Sequence, residues 1–303
     1  MKIIVAPDRY DHYLTASEVT ASIGRAVLET FPNADIVAIP VADGSTGTMD
    51  AIGFASRAAK VKCPAVDPLG RAIEVDIGLL PSGTITIDAE SVAGIHLIAP
   101  EDRNGQYTTR GIGMLISAAL QIGTGGIIIA AGGDLVDDGG KGAIEEIKDD
   151  KRIPKTRFAI LTGSKGTNSL SSALCDFLCA EEKDGASTIF DILNFDEKIE
   201  GCALVITGEY SAGDGHAAME AATRAKAKDI PVLSVCADFG NGDVYDAGVA
   251  KLALCSDYAD SNEEMRSRLS SLVFHTTLYA LREIESGLSP IVLPTAPGEE
   301  HEF

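Results

Sequence analysis

Five acidic residues stand directly behind apolar runs of the kind that form buried strands. Asp8 follows KIIVA (2–6), Asp43 follows DIVAIP (35–40), and Glu209 follows ALVIT (203–207). Asp238 follows VLSVC (232–236) and Asp257 follows KLALC (251–255). Ligands of an open parallel sheet bind outside the carboxyl ends of its strands, so these five side chains are expected along one edge. Carboxylates gathered there suit Mg²⁺, which takes a few acids together with water and phosphate oxygens. The plainer role for any one of them is to cap the helix that follows. The chemistry expected is metal-assisted handling of an anionic, phosphate-bearing ligand.

Two glycine-rich loops point the same way. VADGSTGT (41–48) joins a strand to a helix through Asp43, Gly44 and Gly47. Such a junction presents free N–H groups and the positive helix end to an anion, or is simply a tight turn. In AAGGDLVDDGGKG (130–142), Gly132–Gly133 and Gly139–Gly140 flank Asp134, Asp137 and Asp138, and Lys141 is the nearby cation. The glycines allow close backbone approach, and Asp138 is placed to hold a metal or position a hydroxyl. GSKGT (163–167) lacks the full GxxxxGK[ST] spacing and reads as a turn. His12, His96, His216, His275 and His301 show no metal-ligand spacing; His12 and His216 follow two of the acidic loops. No GxSxG elbow occurs, so acyl transfer has no support.

The elements that must position these loops alternate short apolar runs with amphipathic stretches, the pattern of an α/β protein. A helix is expected from the capping box Thr15-x-x-Glu18, burying Val19, Ile23, Ala26 and Val27. Another covers 48–59. Residues 61–88 alternate apolar and polar between DPLG (67–70) and PSG (81–83), which predicts an antiparallel meander. Helices are expected over 112–122, 169–180 and 262–284, and strands over 126–131 and 158–162, while 181–200 gives no clear pattern. The economical organisation is a flavodoxin-like doubly wound parallel sheet built from residues 1–60 and 201–303. A second α/β domain, residues 61–200, interrupts it.

The chain has 303 residues, with 25 Lys and Arg against 45 Asp and Glu, a formal charge of −20. That length holds one large domain or two ordinary ones, and 45% apolar residues suffice for buried cores. The acidity argues against nucleic acid and anionic membrane surfaces as partners. The six cysteines form neither a zinc ribbon nor a disulfide framework. No apolar run nears the ~20 residues of a membrane span. The chain opens on a strand signal rather than a basic-then-apolar leader, and a cytoplasmic location is expected. A flavin protein of the same fold is disfavoured by the absence of Trp and by only 5% aromatic residues.

Four motifs, in order along the whole chain, resemble the bacterial type of glycerate kinase. APDRYD (6–11), PVADGSTGT (40–48), GGDLVDDGG (132–140) and ITGEYSAGD (206–214) stand where that family has APDSFK, PVADGGEGT, GGSATNDGG and LTGEG-x-x-D. DPLGR (67–71) and APEDRN (99–104) match between them. The resemblance implies transfer of the ATP γ-phosphate to D-glycerate, or a related small hydroxy acid, with Mg²⁺. It implies catalytic roles for Asp138, Asp8 and Arg9, with Asp138 orienting the attacking hydroxyl and Arg9 meeting the substrate carboxylate. Asp43 and Glu209 would hold the metal. Asp43, Gly44, Gly47, Gly132, Gly133, Gly139, Gly140, Lys141, Thr207 and Gly208 would line the nucleotide. The member is a divergent one. The family lysine of the first motif is Asp11 and its serine is Arg9, the second motif's glutamate is Thr46, and the final GK falls on Met219-Glu220. A homologue without catalysis, binding a ligand or partner through the same residues, is the alternative; a homodimer is left open.

Overall fold

The computed structural model describes residues 1–103, 105–163, 166–240, 242–258, 264 and 267–293. Parts of the GSKGT and APEDRN motifs, the tail prolines Pro294 and Pro297, and the expected start of the last helix at 262 lie outside them. The chain begins with β1 (Lys2–Val5), α1 (Ala16–Thr30), β2 (Asp35–Ala38) and α2 (Thr48–Ser56). Then come β3 (Ala59–Val66), β4 (Ala72–Leu79), β5 (Ile85–Asp88), α3 (Glu90–Ala93) and α4 (Arg110–Ile122). The middle holds β6 (Gly126–Ala130), α5 (Lys141–Ile147), β7 (Arg157–Thr162), α6 (Ser169–Leu178), β8 (Glu181–Asp184) and α7 (Gly185–Ile192). The remainder is α8 (Phe195–Lys198), β9 (Leu204–Thr207), β10 (Ser211–Ala212), α9 (His216–Lys226), β11 (Val232–Cys236) and β12 (Asp238–Phe239), followed by α10 (Val244–Ala247), β13 (Lys251–Leu254) and α11 (Leu269–Glu285).

These elements form two compact units, Met1–Val41 with Phe190–Phe303, and Ala42–Ile189. Both boundaries fall earlier than the 60/61 and 200/201 expected from sequence texture. At the first, α2 packs on β4 and β5, so the chain has changed sheets before the helix assigned to the first domain. At the second, Phe190 and Phe195 meet edge to face at 4.6 Å. The Arg224 guanidinium of α9 lies 5.5 Å above the Phe190 ring and pairs with Asp191, Asp196 and Glu220. One largely buried cation thus fastens the later part of the 181–200 segment, whose first residues form β8 beside β7.

In the first unit the sheet order is β13-β11-β9-β1-β2, all parallel. Counted along the chain, that is the 2-1-3-4-5 order of flavodoxin-like folds. α1 starts at the anticipated capping box: Thr15 accepts the Glu18 N–H, and the Glu18 carboxylate accepts the Thr15 N–H. Its Val19, Ile23 and Val27 share one core with Ile3, Val5, Leu204, Ile206, Leu233 and Val235 of the sheet and with Leu272, Val273 and Leu281 of α11. α9 packs buried alanines, among them Ala218 and Ala221, on β9 and β11. Every residue of β9 and β11 is buried, as expected of strands covered on both faces.

The second unit holds one six-stranded sheet, β3-β4-β5-β6-β7-β8. β3, β4 and β5 are antiparallel, the meander read from residues 61–88, while β5 to β8 run parallel. Its core gathers Ile85, Ile87, Ile127, Ile129 and Ile160 beneath Ile112, Leu115 and Ile116 of α4 and Leu170 and Leu174 of α6.

Gly208, directly behind β9, has no room for a side chain. A Cβ there would sit 1.8 Å from the Val235 carbonyl oxygen and 2.7 Å from the Tyr10 hydroxyl. Gly208→Ala is therefore expected to cost several kcal/mol, read as a fall in the urea midpoint, whereas Gly24→Ala, with open space around it, leaves the midpoint unchanged or raises it.

Candidate functional site

At the carboxyl edge of the first unit's sheet the backbone fixes three acidic positions. Asp8 N–H bonds to Gly208 O at 2.8 Å, tying the loop after β1 to the loop after β9. The Asp8 carboxylate accepts the Arg9 N–H, and Arg9 Nη1 donates to Asp11 O at 3.2 Å. Thr207 Oγ1 donates to Ala6 O, and the buried Tyr10 hydroxyl donates to Val235 O. Thr207, Gly208 and Tyr10 thus hold strand ends together. The short strands β10 and β12 pair in parallel and join the loops that carry Glu209 and Asp238. The side chain of Asp257 lies outside the described residues.

Glu209 is the chemically unusual member of this edge. It is only 5% exposed. Its Oε1 accepts the Gly213 N–H at 2.7 Å, while Oε2 is buried without a well-formed hydrogen bond. Burial pushes its pKa up to about 8; Gly213 and Gly215 N–H groups oppose the rise, and Asp8 and Asp214 add to it. No group of three or more His, Cys, Asp or Glu among the described residues could hold a metal by itself. Mg²⁺ needs only one or two protein carboxylates when phosphates complete its shell, and the orphaned Oε2 of Glu209 fits that lesser role.

Asp43 belongs to the second unit, not to the first sheet's edge. It is 6% exposed and accepts the Ser45 N–H and hydroxyl. The loop it opens is packed backbone to backbone. Gly132 N–H bonds to Gly44 O at 3.0 Å. A Cβ on Gly44, where φ is +95°, would lie 2.9 Å from Gly185 Cα; one on Gly132 would lie 2.7 Å from Gly163 N; one on Gly185 would lie 2.2 Å from Asp43 O. Gly44 and Gly132 therefore serve close chain crossing. Gly133, at φ +89°, seats against Glu90.

The sequence reading expected free N–H groups at the start of α2. Two of them are taken by Asp88, at the end of β5: Gly47 N–H donates to Oδ2 at 3.0 Å and Met49 N–H to Oδ1 at 2.9 Å. Asp88 thus fills from inside the chain the place an anion would take at that helix end. Burial pushes its pKa up to about 7, against the lowering by those two N–H groups. Asp88 ends an apolar run much as the five acids do, but the meander assignment of residues 61–88 hid it from the parallel-strand rule.

The second glycine loop is built around Asp138. Its Oδ1 accepts the Thr109 hydroxyl at 2.8 Å, and its Oδ2 accepts the N–H groups of Thr109 and Gly142 at 2.9 and 3.0 Å. The carboxylate bridges the starts of α4 and α5. Asp137, next to it, is exposed, and its Oδ1 accepts from Gly139 N–H and Ser169 Oγ. The Ser169 hydroxyl, followed by the Gly139 N–H, holds the Asp137 carboxyl below its ordinary pKa. Asn168 caps α6 and donates to Ala131 O. A cavity of about 540 Å³ opens beside this loop, lined by Leu69, Tyr107, Thr108, Asp137, Asp138 and Lys141, among others. Gly139 and Gly140, at φ +68° and +72°, turn the chain so that Asp137 and Lys141 both border it. Of the expected site residues, Asp138 and Lys141 share this cavity, whereas Asp8, Arg9, Thr207, Gly208 and Glu209 gather in the other unit.

The raised pKa of Asp88 sets a sign for stability. Unfolded, the group titrates near 3.8; folded, near 7. Between these values the folded state holds a proton that the unfolded state has released, so stability falls as pH rises from about 4 to 7, then levels. Asp88→Asn is expected to make that fall shallower in urea titrations across this range. At pH 8 it costs about 1 kcal/mol, because one of the two N–H groups loses its acceptor.

A sequence model described as the glycerate kinase family matches residues 3–150 and 151–284. The chain is 39% identical over 149 residues to a glycerate 2-kinase of Escherichia coli K12. It is 38% identical over 149 residues to a glycerate kinase of Bacillus subtilis 168, and 37% over 149 to one of Haemophilus influenzae Rd. Each alignment covers 48% of this chain and 39% of the relative's length, so well under half of each relative is matched. The crystal structure of a provisionally named glycerate kinase 2 from Salmonella typhimurium LT2 superposes with a TM-score of 0.74 at 21% identity. That superposition covers 95% of this chain and 99% of the other, and establishes a shared fold. With the family match running through both units, the chain belongs to the glycerate kinase family.

Proposed function

We propose that this chain is a phosphotransferase that moves the γ-phosphoryl group of ATP to D-glycerate or a related small hydroxy acid, with Mg²⁺. The observation that carries this reading is the family match over residues 3–150 and 151–284. Phosphoryl transfer asks a protein mainly for positioning and charge neutralisation. Bound with the nucleotide, Mg²⁺ supplies the charge neutralisation that two acidic loops cannot.

The chain's own groups do the positioning. Glu209 offers its unsatisfied Oε2 to the cation within its own unit. Asp138, with three protein donors on its carboxylate, holds the starts of α4 and α5 in register beside the cavity. That anchoring is a different task from orienting the attacking hydroxyl. Arg9, on the Asp8 loop, is a candidate partner for an anionic group in the first unit.

A second reading, a ligand-binding homologue without turnover, is favoured by Asp11 and Met219-Glu220 standing where the family motifs carry lysine. One assay separates them. Purified chain, ATP, Mg²⁺ and D-glycerate should release ADP and a phosphorylated acid detectable by ³¹P NMR. Chelation of Mg²⁺ should abolish release, and Glu209→Gln should lower kcat/KM at least tenfold. ATP and acid binding with no ADP above the acid-free blank would replace the kinase reading with the binding one. Asp138→Ala should cost about 2 kcal/mol of stability as well as turnover, as an anchor does.

A further inference from the structure

The cavity of the second unit carries an unusual balance of charge. Three side chains that carry charge near neutral pH line it: Asp137, Asp138 and Lys141. Asp138 is spent, since Thr109 and Gly142 donate to both of its oxygens. Asp137 commits Oδ1 to Gly139 and Ser169; its Oδ2 has no hydrogen bond among the described residues. Lys141 Nζ has no hydrogen bond or ion pair among the described residues either. A lysine with an open ammonium and an aspartate with one open carboxylate oxygen therefore border the same space, with Leu69 and Tyr107 as partly buried apolar wall.

That pair selects a ligand class. A polyphosphate meets two carboxylates and a single cation here, and is repelled. A monoanion that also carries hydroxyls satisfies both open groups: its acid pairs with the ammonium, and its hydroxyl donates to the carboxylate oxygen. A lowered pKa suits Asp137 to accept a hydrogen bond as a carboxylate.

We infer that the acceptor acid binds in this cavity, its carboxylate on Lys141 Nζ and one hydroxyl on Asp137 Oδ2. The inference rests on the phosphotransferase reading, and it moves acceptor recognition from Arg9 and Asp138 to Lys141 and Asp137. At about 540 Å³ and open to solvent, the site has room for a small acid held by its polar ends rather than by enclosure.

The test is binding to the intact chain without nucleotide, by calorimetry and NMR shift titration, with D-glycerate, propionate and inorganic phosphate as separate probes. D-glycerate should bind best, and propionate, lacking hydroxyls, about tenfold more weakly. Lys141→Met should weaken D-glycerate about 10- to 100-fold. Asp137→Asn should weaken it about tenfold yet leave propionate unchanged, since the amide oxygen still serves Gly139 and Ser169. Both side chains are exposed, and unchanged melting temperatures will show that the variants fold. Equal D-glycerate affinity in wild type and Lys141→Met, preference for inorganic phosphate over D-glycerate, or no D-glycerate binding by the wild type would overturn the inference. Turnover with unchanged KM in both variants sinks this site while the kinase reading stands; binding lost in the variants without wild-type turnover keeps the site and sinks the kinase reading.

Discussion

A carboxylate taken out of water must be given hydrogen-bond donors or hold its proton, and that constraint shapes both units. Asp138 receives three donors, from the starts of two helices. Asp88 receives two backbone N–H groups yet is buried deeply enough to titrate near neutrality. Glu209 has one well-formed bond, and burial wins there too. In a chain with twenty more acids than bases, the acids nearest the glycine loops are consumed internally as fasteners. Among the described residues beside these loops, the fasteners leave Lys141, one oxygen of Asp137 and the second oxygen of Glu209 without a well-formed hydrogen bond.

Much of the fold is legible in the sequence because its signals are local. The Thr15–Glu18 capping box, the all-buried strands β9 and β11, and the 61–88 meander each follow from spacing within a dozen residues. So does the two-sheet character of the chain. The domain boundaries were less legible. The helix following VADGSTGT has the same local texture wherever it packs, and only its contacts with β4 and β5 assign it to the second unit. Residues 181–200 show no single pattern because they divide between two partners: β8 pairs with β7 in the second unit, while Phe190, Asp191 and Asp196 are held in the first unit by Arg224, more than twenty residues away in sequence.

Sequence spacing names candidate residues without showing which of them the fold already uses. Counting glycines and acids picks out loops, but spacing says nothing about which carboxylate is already occupied. Asp138 looked free by residue type and proves to be the better anchored of the Asp137–Asp138 pair. Asp88 was passed over because a capping acid supplied from another strand leaves no local motif. Family membership adds the expected chemistry, and Arg9, Asp11 and Thr46 mark where this chain departs from the family's motifs.

Gly44, Gly132, Gly163 and Gly185 meet where stretches of main chain cross with no side chain between them. Each such residue surrenders more backbone freedom on ordering than any other type, about 0.5–1 kcal/mol relative to alanine. Four together place on the order of 2–4 kcal/mol of entropy loss at one spot. The junction is consequently a place where the second unit is held taut against its own thermal disorder, and local melting there would release the Asp43 and Gly132 loops at once.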